Sequence, residues 1–306
     1  MEQVVILLST YNGQQYLKEQ IDCILAQTYP GHITVLIRDD GSSDGTEAIA
    51  QSYQPGENRR VEFVKAENVG PQRSFLELVR MAPEADYYFF ADQDDVWDTD
   101  KIAIAVAAME SRQGPACYCS NFRHSHMDLT IYEEKALAQP PLFTPLQIIF
   151  YNQIPGCVMG FNNALMALLK QLQLDSCMMH DSLALSLAAA CGEVIYDDMP
   201  RITHRIHASN VVGHGHKKMR LHKWIPEKLK LLVKKENYDL SDMAAQFLAV
   251  AGDRIHPDYR EDILLLRDFK KSRKNTSRLL RHPDTQGPAF DRTVLSIRSK
   301  IFFHLF

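Results

Sequence analysis

Val4-Val5-Ile6-Leu7-Leu8 runs unbroken into Ser9-Thr10-Tyr11-Asn12-Gly13, after which Leu17, Ile21, Ile24 and Leu25 recur at helical spacing. A continuous apolar run of this length suits a strand buried on both faces, and the shift to a 3.6-residue period marks an amphipathic helix behind a polar turn. The unit then repeats. Ile33-Thr34-Val35-Leu36-Ile37 ends in Asp39-Asp40-Gly41-Ser42-Ser43-Asp44-Gly45-Thr46, where Asp44 or Ser43 is placed to cap the next helix. Val61-Glu62-Phe63-Val64 precedes Pro71 and the helical Phe75-Leu76-Glu77-Leu78-Val79. Tyr87-Tyr88-Phe89-Phe90-Ala91 ends at Asp92-Gln93-Asp94-Asp95, ahead of an Ala-rich helix from Lys101 to Met109. Four such alternations predict an α/β fold: a Rossmann-like, mostly parallel sheet with flanking helices. Ligands of such sheets bind outside the carboxyl ends of the strands. Thr10, Asp39, Asp40 and the 92–95 cluster therefore fall on one rim.

From residue 116 onward the pattern is less regular. Val158-Met159-Gly160-Phe161 reads as a strand after the turn Pro155-Gly156, and Asn162 starts a helix reaching about Gln171. His180-Asp181 opens an Ala/Leu-rich helix to about Ala190, and Val194-Ile195-Tyr196 reads as a short strand. Beyond Asn210 the periodicity is helical, at Leu229, Leu232 and Val233, then Met243 to Val250, then Ile263 to Leu266. The reading divides the chain into a nucleotide-binding and catalytic domain, 1–212, and a helical, basic C-terminal region, 213–306.

The chain has 306 residues, 45% hydrophobic and 24% charged, an ordinary globular composition. Its net charge of −4 conceals an asymmetry: residues 1–210 carry −13 and residues 211–306 carry +9. Lys217-Lys218-Met219-Arg220 with Lys223-Trp224, and Lys270-Lys271-Ser272-Arg273-Lys274 before Leu279-Leu280, are cationic amphipathic stretches. They suit an anionic bilayer surface, at about 1 kcal/mol per basic residue, or packing against the acidic body. No groove-reading motif accompanies the charge, so nucleic acid is not an expected partner. No apolar run reaches the ~20 residues of a membrane span, and Met1-Glu2-Gln3-Val4 lacks the basic region of a signal peptide. The expectation is a cytoplasmic location, with peripheral contact at the inner face of the membrane. The six scattered cysteines include no CxxC pair and read as small buried hydrophobes.

Asp92, Asp94, Asp95 and Asp98 put four carboxylates within seven residues. Behind a buried aromatic strand their repulsion is costly unless a cation or helix terminus offsets it. Carboxylates at alternate positions suit a hard cation, Mg2+ or Mn2+, which shares its sphere with substrate phosphate oxygens. Acidic capping of the following helix accounts for Asp98 and Asp100.

Ser9-Thr10-Tyr11-Asn12, Asp39-Asp40-Gly41-Ser42-Ser43-Asp44 and Asp92-Gln93-Asp94-Asp95-Val96-Trp97, in that order, resemble glycosyltransferase family 2, whose members have the GT-A fold and a D-x-D motif. The resemblance covers roughly residues 1–210. It implies that Thr10 and Tyr11 border the base and that Asn12, Asp39 and Asp40 belong to the nucleotide-sugar site, with Asp40 bonded to the pyrimidine. Asn68 and Arg73 would lie near the nucleotide. Asp92 and Gln93 would sit on the donor side, and Asp94 would be the direct metal ligand, with Asp92 as a second. An inverting transfer needs a general base for the acceptor hydroxyl. The family's acidic pair opening a helix is matched by His180-Asp181, which makes Asp181 the base; the helix N-terminus is expected to keep its pKa low. His180 stands where many relatives have Glu, and its role is left open.

His204-Arg205-Ile206-His207-Ala208-Ser209-Asn210-Val211-Val212-Gly213 resembles a segment of the rhamnosyltransferase-like branch. That resemblance implies a diphosphate contact for Arg205, whose fork suits phosphate, and a third metal ligand or diphosphate contact for His207. Together with Arg38-Asp39-Asp40-Gly41 and the Tyr-Tyr-Phe-Phe strand, it is similar to bacterial enzymes of rhamnose-containing cell-wall and capsular polysaccharides. The donor so implied is dTDP-L-rhamnose, with a UDP-hexose as the alternative, and the acceptor a lipid-linked or polysaccharide chain. A sugar-1-phosphate nucleotidyltransferase would open with a Gly-rich loop bearing Arg, which Ser9–Gly13 is not. A donor-binding protein without catalysis would lack Asp181.

Overall fold

The protein is described here from a computed structural model, which describes residues 1–207, 236–286 and 292–306. Strand β1 (Gln3–Thr10) lies at the centre of its first half, between β2 (His32–Asp39) and β4 (Tyr87–Ala91), with β3 (Arg59–Lys65) outside β2, all parallel. Val4 to Leu8 are at most 2% exposed, as an uninterrupted apolar run requires. The register sets Thr10 opposite Asp39 and Leu8 opposite Ala91, so the three polar turns meet on one rim as the strand pattern required.

The crossover helices are α1 (Leu17–Leu25), α2 (Thr46–Gln51) and α3 (Pro71–Met81). Asp44 accepts from the Thr46 N–H and so caps α2 from one residue beyond the helix boundary. Pro71 at the first position of α3 follows Gly70, whose φ of +82° only glycine adopts readily. Helix α4 (Lys101–Met109) follows the two-residue β5 (Val96–Trp97).

The second half adds β6 (Ala116–Ser125), β7 (Ile131–Glu133), β8 (Met159–Asn162) and β9 (Glu193–Arg205), completing the order β3-β2-β1-β4-β8-β6-β9-β5 with β7 on β6. Strand β8 is antiparallel to both β4 and β6, so β6 and its parallel partner β9 run with β1. Their carboxyl ends therefore reach the same rim. Four strands exceed the sequence reading: β5, β6 and β7 are absent from it, and β9 has 13 residues where only Val194 to Tyr196 read as a strand. All six cysteines are unpaired. Cys117 and Cys119, two apart on β6, share one face.

Helix α6 (Asn163–Leu169) is capped by the Asn162 side chain, and α7 (His180–Cys191) is buried along all 12 of its residues. Such a helix needs cover on every side. Helix α5 (Pro145–Tyr151) packs along it and is backed in turn by the C-terminal region, whose helices are α8 (Leu240–Ala251), α9 (Pro257–Asp268), α10 (Arg273–Arg281) and α11 (Arg292–Phe302). The His256 N–H bonds the Ala190 carbonyl (2.8 Å), and Asp284 and the Thr285 carbonyl bond Thr144 and Tyr151 at the two ends of α5. Among the described residues, Lys270 pairs with Asp239 (2.9 Å), Lys271 with Asp268 (2.7 Å) and Lys300 with Glu236, all within the C-terminal region rather than with the acidic body. The basic stretch at 217–224 and the apolar positions 229–233 lie outside the described residues. No described helix is long and apolar enough to cross a membrane.

Candidate active site

The rim is built first by polar side chains that fold its own turns. Gln93 accepts from the Thr10 hydroxyl (2.6 Å) and the Tyr11 N–H (3.0 Å) and donates to the Tyr11 carbonyl (3.3 Å), clasping the turn after β1 to the turn after β4. A Cβ on Gly13 would lie 2.4 Å from the Gln93 oxygen, so the clasp requires glycine there. Asn12, at φ +48°, donates its N–H to Ser42 (2.8 Å) and accepts from the Ser43 N–H (3.0 Å). Asp39 accepts from the Ser42 N–H (3.1 Å) and hydroxyl. Asp40 is buried against Arg38 (2.5 Å) and accepts from the N–H groups of Val69 (3.0 Å) and Gly70 (2.9 Å). Arg38 also donates to Ser74 and the Glu67 carbonyl. Among the donor-site residues expected from sequence, Gln93, Asp39, Asp40 and Thr10 thus form the wall, whereas Tyr11, Asn68 and Arg73 are exposed at its edge.

The acidic turn divides into three environments. Asp94 meets His207 (2.6 Å), whose ring stacks on Tyr16 at 5.3 Å. Tyr16 also lies under the Arg205 guanidinium, 4.9 Å from its ring centre. Arg205 bonds Glu19 (2.5 Å) and the Met127 carbonyl (3.1 Å), so its fork engages the protein itself where a diphosphate contact was expected. Asp95 is fully buried and meets His204 at 2.7 Å. Burial works against charge at both partners, but the pairing outweighs it: the carboxyl is lowered, and the imidazole is raised to about 9. Cys157 Sγ lies 3.9 Å from His204 Nδ1, and the ligand atoms of Asp95, Cys157 and His204 fall within 4.8 Å of one another. Lys101, also buried, donates to the Cys157 carbonyl (2.6 Å) and sits 3.2 Å from the centre of the Trp97 ring. Burial takes its pKa down to about 7, although Asp95 and Asp92 pull the other way.

Asp92 is surrounded by its own sign: burial, Asp95 and Asp94 push its carboxyl up, with His204 opposing. Asp94 is likewise raised by burial and Asp95, with His207 opposing. Asp98 and Asp100 are not side-chain caps of α4. Asp98 forms a two-pronged pair with Arg123 (2.9 and 3.0 Å), and Asp100 meets Arg201 (3.3 Å), because β6 and β9 bring these cations to the turn.

Asp181 stands at the start of α7, buried, accepting from the Ser182 N–H (2.5 Å) and hydroxyl (3.2 Å) and from the Gly156 N–H. Its pKa is raised to about 6 rather than held low; burial outweighs the N–H donors and the helix terminus. His180 beside it is an aromatic filler. Its ring stacks on Phe75 at 3.6 Å and meets the edge of Phe90 at 4.6 Å, and neither ring nitrogen has a hydrogen-bond partner. Burial takes its pKa down to about 3. Its Nε2 fills the space of a Cβ on Gly156, 2.4 Å from that position. Sequence reasoning missed Gly156, Cys157, Lys101, Tyr16 and Glu19. Only Pro155-Gly156 carried a local signal, as a turn.

The family description "Glycosyl transferase family 2" matches residues 5–171. The chain belongs to that family. This family 2 glycosyltransferase is 28% identical over 222 residues to the dTDP-rhamnosyl transferase RfbG of Shigella flexneri, an alignment covering 67% of this chain and 73% of the relative. It shares its fold with the S. aureus TarS fragment 1–349 in complex with UDP-GlcNAc, at TM-score 0.56 and 16% identity over 99% of this chain and 91% of that one. The mannosyltransferase PcManGT of Pyrobaculum calidifontis, in complex with GDP-Man and Mn2+, matches at TM-score 0.52 and 15% identity, covering 97% and 73%. The parallel sheet expected from the strand–turn pattern and the GT-A fold implied by the family resemblance are both met. The transferase's acidic turn also passes a chemical test for a hard divalent ion: His204 and Lys101 oppose the repulsion on an ionised Asp92 without overcoming it, and the oxygen-rich set with one imidazole is what Mg2+ or Mn2+ takes.

Proposed function

We propose that this family 2 glycosyltransferase moves a sugar with inversion, L-rhamnose from dTDP-rhamnose, onto a saccharide acceptor of bacterial cell-wall or capsular polysaccharide. The observation that carries the reading is Asp181: a buried carboxylate at a helix start, held by two backbone N–H groups, with a pKa of about 6. That value suits a general base near neutral pH. Asp181 takes the proton of the acceptor hydroxyl. The oxygen then bonds to the anomeric carbon, and the bond from that carbon to the diphosphate oxygen breaks, its electron pair leaving with the nucleoside diphosphate.

Asp94, Asp92 and His207 would hold Mg2+ or Mn2+, which neutralises charge on the diphosphate. Tyr11, Asn68 and Arg73 would touch the nucleotide directly, on a wall shaped by Thr10, Asn12, Asp39, Asp40 and Gln93. Arg205 serves the diphosphate directly if it leaves Glu19, and otherwise by holding Tyr16 against His207. The name of RfbG supports dTDP-rhamnose, and the UDP-GlcNAc complex of TarS supports a UDP-hexose as the second reading. A lipid-linked acceptor would bring the protein to the inner face of the membrane.

A screen of nucleotide sugars for nucleoside diphosphate release, with Mn2+ and with EDTA, tests donor and metal together. Release from dTDP-rhamnose, abolished by EDTA, is expected. Release indifferent to EDTA removes the metal from the reading. Asp181→Asn should lower kcat about 10²–10⁴-fold, the range of general-base catalysis, with donor affinity unchanged; near-normal turnover would refute the assignment of the base.

A further inference from the structure

We infer that the outer end of β6 and the strand β7 form the subsite for the acceptor saccharide, with Tyr132 as its stacking platform; this rests on the glycosyltransferase reading above. Phe122, His124 and His126 alternate along β6 and its continuation, and so line one face of the sheet. His204 of β9 is the direct neighbour of His124 in the register. The rings form a continuous strip. Phe122 and His204 are 6.1 Å apart, Phe122 and His124 5.2 Å, His204 and His124 6.0 Å, His124 and Tyr132 6.0 Å, and His126 and Tyr132 4.8 Å. The strip begins at the buried Asp95–His204 pair and ends in water. Phe122 is 6% exposed and Tyr132 is 51% exposed.

The root of this hairpin is fixed to the reaction centre. The Ile206 N–H bonds the Ser125 carbonyl (3.0 Å), one residue from His207 on Asp94, and Arg205 bonds the Met127 carbonyl. Because β6 runs with β1, the hairpin projects from the rim that carries the acidic turn. A pyranose presents C–H faces that pack on rings and hydroxyl edges that need polar partners. Tyr132 and His126 offer both in one group, and Glu133, bonded to His124 at 2.6 Å, adds an acceptor at the margin. A strip one ring wide is far narrower than the ~800 Å² per side of a stable protein interface.

Saturation-transfer NMR can test this on the full chain with UDP, Mn2+ and the methyl glycosides of L-rhamnose, N-acetyl-D-glucosamine and D-galactose. Saturation of the aromatic protons should reach the ring protons of at least one glycoside and fall to background in Tyr132→Ala, an exposed change that leaves the core intact. His126→Ala should weaken it. The proposal is overturned if no glycoside receives saturation, if Tyr132→Ala matches the unaltered chain, or if the variant's only deficit is in binding anionic phospholipid vesicles. Calorimetry of UDP and dTDP with Mn2+ separates the two levels of argument. Failure of the unaltered chain to bind either nucleotide sinks the donor-site reading itself, whereas normal nucleotide binding without glycoside contact sinks the acceptor subsite alone.

Discussion

His180 and Asp181 show how adjacent residues divide one environment. Both are buried, and burial disfavours charge at each, so the carboxyl rises to about 6 while the imidazole falls to about 3. For Asp181 the consequence is kinetic. A base must be ionised, so kcat/KM should climb as pH rises through about 6 and level off above it, and a pH–rate profile checks this. For His180 the consequence is thermodynamic. Between pH 6.5 and about 3 the unfolded chain binds a proton at this ring that the folded chain does not, so stability falls as pH falls through that window. Phenylalanine has the same planar shape and no nitrogen to leave unpaired. His180→Phe should therefore keep transfer activity and lose less stability between pH 6 and pH 4 than the unaltered protein, measured as urea midpoints. His180→Ala should lose about 3 kcal/mol, the lower range for emptying a buried aromatic site. If His180→Phe were as inactive as Asp181→Asn, the ring would have a polar role that its surroundings do not reveal.

At the scale of elements, the strands legible in the sequence were mainly apolar runs such as β1, β2, β4 and β8; β6 is buried as deeply but breaks its run with Ser120, Asn121 and Arg123. Val4 to Leu8 and Tyr87 to Ala91 are apolar without interruption, because helices cover both sides of β1 and β4. Strand β9 carries Asp197, Asp198, Arg201, His204 and Arg205, and each of these meets a partner on another element or in the strand's own bulge. Its polar positions satisfy neighbours instead of facing water in alternation, so no period of two appears. The capping expectation for Asp98 and Asp100 failed for the same reason, since their partners come from strands that could not be recognised. The motif residues were legible as types but not in their duties: Asp40 and Gln93 are walls, and Glu19 gave no signal at all. Yet Glu19 ties α1 to the end of β9, where His207 reaches Asp94. Glu19→Gln leaves α1 intact, because the side chain is half-exposed, but removes the charge that holds Arg205. Residues that orient metal ligands typically change metal affinity 10- to 100-fold when altered. The Mn2+ concentration for half-maximal activity should rise by about that factor, with kcat at saturating Mn2+ little changed; an unaltered activation curve would show that the tie does not govern His207.

On the scale of the whole molecule, the division at residue 212 is the expectation that can be set most directly against the packing. The family match ends at residue 171, inside the catalytic half. The helix that carries the base lies just beyond it, and that helix has no polar face. All 12 residues of α7 are buried, and its end is joined to the C-terminal region through the bond from the His256 N–H to Ala190. Phe306, near the other end of the region, packs 6.0 Å from Phe150 of α5. Removing residues 213–306 would thus expose the back of α5 and the end of α7, apolar surface of the kind that drives association when it is left uncovered. A domain that folds by itself keeps its own core closed. The chain cut after residue 212 should accordingly be insoluble, or unfold without a cooperative urea transition, even though it retains every residue assigned to donor, metal and base. Should the fragment instead unfold cooperatively at the midpoint of the full chain, the C-terminal helices would be an appendage to a self-sufficient catalytic domain, and their packing on α5 would contribute nothing to its stability.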